Sequence, residues 1–484
     1  MNLADMLIHQ ARRRPDHPAI IEESRVITHG EFDPVVRRWA ARLQALGAEP
    51  GDVIGIALKD HAEHLIAFYA VARMGGIILP VDWRWTAGEK QRITEFFGAE
   101  RTLAEPGDEI PGAFTIDGAW HAALPAFDPE VSFPSDADAP VVLSLSSGTT
   151  GTPKGPVLSH RQFLSRWVTQ FVTLTFSEHD RYLSATPLYF GGGRSFTMSA
   201  LYAGSTVVMF PPPYEPAQLV AAAADYRATT TLLVPTMLRR LLGITVEGDE
   251  KLFAGLRLLL STGAILHGDE RSAVIDRLCA GFINYYGSTE GGGVSVLLPH
   301  HGEEKSTSVG STVFQTDVEI VGDDHTALSV GDIGRIRYRG PGVANGFFRD
   351  EAASAQSFHD GWFYPGDLGR LDDDGFLYLA GRADDLILRG GVNIYPAEIE
   401  QTLLTHDGVR DAVVLGWPSR EMGEEIAAFV VCDAQVDRDA LAEHCRETLA
   451  SYKIPREIFV VDAFPRSALG KVAKGELKAL LTPL

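Results

Sequence analysis

Cysteine is scarce: three occur in 484 residues, Cys279, Cys432 and Cys445, far apart and outside any C-x-x-C pairing. That spacing excludes a disulfide framework and a cysteine-based zinc site, and it suits a reducing compartment. Basic residues are also few, with 43 Lys and Arg against 64 Asp and Glu and a formal net charge of −21. A field of that sign repels nucleic acid and anionic lipid, so any phosphate ligand must be held by local groups. Long apolar runs are missing too. The most apolar stretch, from Leu65 to Val81, is broken by Arg73 and a Gly pair, whereas a membrane span needs about 20 mostly apolar residues. It reads as a core helix followed by a buried strand. The N-terminus has Asp5 early and no apolar segment of signal-peptide length, and the C-terminal LTPL matches neither a peroxisomal nor a reticulum-retention signal. A cytoplasmic protein without membrane insertion or nucleic-acid partner is expected, as monomer or homodimer.

At this length a single core is not expected, so at least two domains are. No internal repeat is found; helical and strand patterns alternate instead. Phe32 to Gly47 carries apolar residues at helical spacing and stops on glycine, and DVIGIALK then reads as a strand. TVVMF, TTLLVP, LRLLLSTG and FINYYG read as short buried strands separated by helices such as AQLVAAAADYR. The fold class is therefore α/β, with helices on the faces of the sheets. After Thr312, strands spaced by Gly- and Asp-rich turns predict a β-rich subdomain. Beyond Leu388 a compact pattern of helix, two strands and helix predicts a small α+β C-terminal domain. The boundary is placed near Asp384, as a hinge, with residues 1–383 on one side and 384–484 on the other.

The densest chemical signal is VVLSLSSGTTGTPKGPVLSH, from Val141 to His160. An apolar strand delivers a loop whose glycines let the backbone approach a ligand, whose hydroxyls can donate, and whose Lys154 supplies a cation; that combination suits a polyphosphate. It is not a Walker loop, since the fifth residue after Gly148 is Pro153 rather than the glycine of a Gly-Lys pair. Ser159 is the expected N-cap of the helix that follows. Asp372, Asp373 and Asp374 precede Gly375 and read as a hairpin turn rather than a metal cluster.

Five motifs in order, SSGTTGTPKG, YYGSTE, YPGDLG, GRADDLILRGGVNIYPAEIE and PRSALGKVAKGEL, cover nearly the whole chain. Together they resemble the adenylate-forming superfamily of acyl-CoA synthetases, nonribosomal-peptide adenylation domains and beetle luciferases. The resemblance implies ATP, Mg²⁺ and coenzyme A as reactants, a large N-terminal domain and a small mobile C-terminal lid. It implies that Ser146, Ser147, Gly148, Thr149, Thr150, Gly151 and Lys154 wrap the β- and γ-phosphates, that Thr289 meets the α-phosphate and that Glu290 holds Mg²⁺. The adenine site would comprise Asn284, Tyr285, Tyr286, Gly287 and Ser288, with Gly263 and Ala264 nearby. Asp367 would accept from the ribose hydroxyls beside Arg382, and Lys471 would be the lysine of adenylation. Lys474 and Lys478 read as a solvated face.

Asp384 falls at the family's hinge, and Gly390 and Gly391 would face a pantetheine tunnel; a plain hairpin turn is the alternative for that pair. Acid selectivity is expected from Tyr189, Phe190, Gly193, Arg194, Gly291 and Gly292. Phe190 stands where many relatives carry histidine, which makes the region more apolar and suits an aromatic or medium-chain aliphatic acid. Arg194 would either pair with a second carboxylate on the substrate or brace the following helix, with the second favoured. No aspartate lies between Pro187 and Gly204 to hold an amine, which speaks against amino-acid activation. The implied activity is formation of an acyl-AMP followed by transfer to coenzyme A, the alternative acceptor being a carrier protein.

Overall fold

The apolar stretch around Arg73 folds as Ala62–Met74, a helix buried along its whole length, and ends where Gly75 takes φ +86. Arg73 is buried with it, its charge met by Asp5 and Asp33, each at 2.7 Å. The strand Ile77–Pro80 follows, again fully buried. These features come from a computed structural model that describes residues 1–127, 133, 135–145, 154–244, 251–264, 266, 268–390, 392–432, 436–466 and 472–482. Among them, no helix is long and apolar enough to cross a membrane. Two compact units are formed: Met1–Asp317 with Tyr338–Phe363, and Val318–Arg337 with Tyr364–Leu484.

In the first unit a nine-stranded sheet runs in the order Ser311–Thr312, Gly292–Leu297, Phe282–Ser288, Leu258–Ser261, Thr230–Leu232, Arg181–Ser184, Thr206–Met209, Pro18–Glu22 and Arg25–Thr28. The strands from Phe282–Ser288 to Pro18–Glu22 are parallel, and the pairings outside them are antiparallel. A six-stranded sheet runs Ala113–Thr115, Arg101–Ala104, Val53–Ala57, Ile77–Pro80, Pro140–Leu143 and Val157–Ser159, parallel except for the last pair. Parallel strands covered on both faces need apolar side chains throughout, and Val53–Ala57 and Leu258–Ser261 are buried at every position. One core draws on both sheets, with the rings of Phe68, Phe163 and Trp167 packed edge-on or tilted within it. Capping boxes start His29–Ala45, at Thr28 with Glu31, and His160–Leu174, at Ser159 with Gln162.

In the second unit, Val409–Ser419 and Gly423–Cys432 form a long antiparallel pair joined by Ile387–Arg389, Val392–Ile394 and Glu457–Val460. Helices Pro396–Leu404 and Arg438–Thr448 contribute Ile399, Leu403, Leu441 and Cys445 to its core. Asp367–Leu371 and Leu377–Arg382 make the hairpin expected around the aspartate run. Asp372 closes it by accepting from the backbone of Asp374 and Phe376, and Gly375 takes φ +79. One expectation needs correction. Lys478 is exposed, but Lys474 is not a solvated side chain: it is half-buried and pairs with Asp385 at 2.7 Å. No disulfide joins Cys279, Cys432 and Cys445, and Cys279 and Cys445 are buried.

Candidate active site

Strand Phe282–Ser288 ends at the carboxyl edge of the nine-stranded sheet, the edge at which open α/β sheets bind ligands. Alternation along it puts Asn284 and Tyr286 on a half-open face and turns Tyr285 the other way. Tyr285 is 6% exposed, its ring edge-on to Phe196 at 5.2 Å, so it is separated from the pair expected around adenine. The turn that follows is tied at both ends. Ser288 Oγ accepts from Gly291 N at 2.9 Å and bonds Tyr338 Oη at 2.8 Å. A Cβ on Gly291 would lie 2.1 Å from the Tyr338 ring, and one on Gly293 would lie 1.9 Å from the Tyr285 hydroxyl. These close approaches require glycine at both positions. Thr289 and Glu290, at the tip, are half-buried, and the Glu290 carboxylate has no hydrogen bond or ion pair among the described residues.

The carbonyls of this tip are held from below by Arg166, in the helix His160–Leu174. Its Nη1 donates to Thr289 O at 3.0 Å, Nη2 to Glu290 O at 2.8 Å and Nε to Gly342 O at 2.8 Å. Burial lowers its pKa to about 10, which leaves it charged at neutral pH.

The segment Leu188–Phe190 leads into the helix Gly191–Tyr202. Phe190 faces the strand end that carries Gly263, which takes φ +95: a Cβ there would lie 3.5 Å from the ring. Gly192 packs on the same ring and on Thr262. Gly193 answers to a different demand, because a Cβ would sit 2.2 Å from Pro187 O. The segment is anchored to the carboxyl ends of three neighbouring strands of the six-stranded sheet. Asp60, after Val53–Ala57, accepts from Leu188 N. Asp82, after Ile77–Pro80, is chelated by Arg84 at 3.0 and 2.7 Å, and Arg84 also bonds the Tyr189 hydroxyl. Ser144, after Pro140–Leu143, accepts from Arg194 Nη2 at 3.0 Å, while Arg194 Nη1 holds the carbonyls of Leu188 and Tyr189 at 3.0 and 3.1 Å. Arg194 is 2% exposed and braces this loop; burial, with Arg166 nearby, lowers its pKa to about 9. Burial raises Asp60, and burial with Asp82 beside it raises Tyr189 to about 12.

Ser146, Ser147, Gly148, Thr149, Thr150 and Gly151, together with Gly391 and Lys471, lie outside the described residues. The flanks of the first loop are described: strand Pro140–Leu143 enters it, and Lys154 leaves it with its ammonium 5.5 Å from the Phe347 ring. A cleft of about 340 Å³ opens beside Lys154 and Gly155, walled by Phe96, Phe347, Phe348, Arg349 and Asp350. In the second unit Asp367 and Arg382 face each other across the hairpin, with Nη1 of Arg382 2.7 Å from Oδ1 of Asp367 and 2.8 Å from Pro365 O. Asp384 is exposed, in the short 3₁₀ turn Ala383–Asp385. Gly390 takes φ +57 in the turn between Ile387–Arg389 and Val392–Ile394. That hairpin alone accounts for a glycine there.

Residues 7–348 match the model of the AMP-binding enzyme family, and residues 398–471 match its C-terminal domain. The chain belongs to the AMP-binding enzymes, in the acyl-CoA synthetase branch of the adenylate-forming superfamily. This synthetase is 32% identical to a 2-succinylbenzoate–CoA ligase of Bacillus licheniformis over 99% of the chain and 100% of that protein. It is 31% identical to a feruloyl-CoA synthase of an Amycolatopsis species over 97% of both. Its fold matches ATP-bound MatB of Rhodopseudomonas palustris with a TM-score of 0.91, at 27% identity and covering 99% of each chain. The synthetase also has site residues that its motifs do not reveal: Arg166, Asp60, Arg84 and Tyr338 act on motif residues through space. Nothing local sets Arg166 apart in the sequence, since its helix also carries Arg161, Gln162, Ser165, Thr169 and Gln170.

Proposed function

We propose that this synthetase activates an aromatic or medium-chain aliphatic acid with ATP and transfers the acyl group to coenzyme A. A carboxylate oxygen attacks the α-phosphorus of ATP, the bond to pyrophosphate breaks, and an acyl-AMP forms. The thiol of coenzyme A, losing its proton, then attacks the acyl carbon and AMP leaves. The observation that carries this reading is Glu290: a carboxylate with no hydrogen bond or ion pair among the described residues, on a glycine-tight turn at the carboxyl end of a parallel strand. Its oxygens fit a hard cation, and Mg²⁺ there would offset charge on the phosphates. Thr289, beside it, can donate to the α-phosphate. Lys154 and the loop before it would hold the β- and γ-phosphates, Asn284 and Tyr286 the adenine, and Asp367 with Arg382 the ribose. Lys471 would align the two reactants and stabilise charge developing at phosphorus.

An aromatic acid is favoured by the Phe190 ring against Gly263 and Gly192, and by relatives whose names specify 2-succinylbenzoate and feruloyl groups. Asp384 would be the hinge at which residues 384–484 turn between the two half-reactions, bringing Gly390 and Gly391 to the pantetheine path. Three widely separated cysteines outside any C-x-x-C pairing suit a reducing, cytoplasmic setting.

Pyrophosphate release measured over aliphatic, aromatic and dicarboxylic acids, with and without coenzyme A, tests this reading. Sustained turnover with an apolar acid only when coenzyme A is present supports it. Turnover that instead needs a carrier protein would move the acceptor assignment.

A further inference from the structure

Arg166 is 8% exposed, and no carboxylate lies within ion-pair distance of it among the described residues. A buried cation without a counter-ion is costly, and an apolar side chain would fill the same space without that cost. Its chain runs in a lane left by two glycines: a Cβ on Gly342 would lie 2.9 Å from Arg166 Cγ, and one on Gly292 would lie 3.0 Å from Nε and 3.2 Å from Cδ. The lane leads to three carbonyls, two of which flank one α-carbon. Peptide units are planar, so holding the carbonyls of Thr289 and Glu290 fixes the plane on each side of the Glu290 Cα. With both planes fixed, the Cα–Cβ direction of Glu290 is fixed as well. Glu290 O is held a second time, by Ala344 N at 2.8 Å, and Gln162, one helical turn before Arg166, secures the neighbouring segment through Val343 O at 2.7 Å.

We infer that Arg166 is a positioning residue for adenylate formation, aiming the Glu290 carboxylate at its cation through the backbone on either side of it. The inference rests on the ligase reading above for the identity of the reaction, but not for the orientation of Glu290. Arg166 acts through Glu290 on adenylate formation, so the thiol step is expected to be spared.

The test uses Arg166→Lys and Arg166→Met in the full chain. Binding of Mn²⁺ in the presence of α,β-methylene ATP is read by electron paramagnetic resonance, which needs no turnover. The expected result is weaker Mn²⁺ binding, on the order of tenfold for Arg166→Met and less for Arg166→Lys, with no further weakening when Arg166→Lys is added to Glu290→Gln. Adenylation measured by pyrophosphate exchange falls on the order of 10²-fold in Arg166→Met, since small misplacements near reacting groups cost about that much. Thioester formation from supplied acyl-AMP stays near the wild-type rate. Unchanged Mn²⁺ binding in Arg166→Lys, or equal loss in both half-reactions, overturns the inference. A wild type that binds Mn²⁺ with the analogue but releases no pyrophosphate with any acid contradicts the ligase reading instead.

Discussion

Arg194 Nη2 donates to Ser144 Oγ over 3.0 Å, and this bond joins the helix Gly191–Tyr202, which follows a strand of the nine-stranded sheet, to a strand end of the six-stranded sheet. Ser144 is two residues before the phosphate-loop serines, and the loop that Arg194 holds carries Tyr189 and Phe190. The acid side and the nucleotide side of the proposed site therefore share one guanidinium. Arg194→Met removes the donor from two carbonyls and a hydroxyl, each costing about 1–3 kcal/mol when buried and unmet, against relief of a buried cation. A net loss of about 2 kcal/mol in urea titration is expected. Apparent KM should rise for acid and ATP together, and a rise for the acid alone would contradict the shared role.

Glu290→Gln keeps shape and removes charge. Since the carboxylate makes no bond among the described residues, the thermal midpoint should not move. Pyrophosphate exchange should fall on the order of 10²–10³-fold, with a higher magnesium requirement. A large loss of stability would mean that the side chain is structural.

Phe190→Ala should act on the acid alone. Losing a large apolar contact of about 1.5–3 kcal/mol corresponds to about 10- to 100-fold in the KM of an aromatic acid. The KM for ATP is expected to stay constant. Steady-state kinetics with each substrate varied in turn separates the two, and equal change in both would place Phe190 outside the acid pocket.

A pH dependence of stability follows from His61, which lies 2.8 Å from Glu105 and 3.2 Å from Glu63. Burial opposes its charge, but bonding to Glu105 and Glu63 outweighs burial and raises the pKa to about 9. Because the folded value lies above the unfolded value of about 6.5, protonation favours the folded state. The contribution is complete below about pH 6.5 and is lost as pH rises through about 9. Urea midpoints of wild type and His61→Gln should differ at about pH 6 and converge at about pH 10. A gap that does not change with pH would remove the histidine from the account.

Much of this was legible in the chain because it is local. Ala62–Met74, the capping box at Ser159 and the hairpin at Asp372 each follow from residues within a few positions of one another. Tyr285, expected at the adenine site from its motif, is instead turned into the core, although a period of two along FINYYG already sets it apart from Asn284 and Tyr286. The supports of the site were not readable in this way. Arg166 meets carbonyls 123, 124 and 176 residues away, and Lys474 finds Asp385 across 89. Such pairings depend on which strands and helices become neighbours, and no local pattern encodes that. The glycines of the site were visible in the sequence, but their reasons were not: Gly291 makes room for Tyr338, Gly193 for Pro187 O and Gly292 for Arg166.

The most direct test of the ligase account is a single-turnover reaction with an acid carrying ¹⁸O in both carboxylate oxygens, ATP and coenzyme A, followed by mass spectrometry of the nucleotide. Attack of the carboxylate on the α-phosphorus, then expulsion of AMP by the thiol, leaves one ¹⁸O in AMP. Labelled AMP in amounts equal to the thioester is the predicted result. Unlabelled AMP, or label appearing in inorganic phosphate with ADP as the nucleotide product, would contradict an acyl-AMP intermediate.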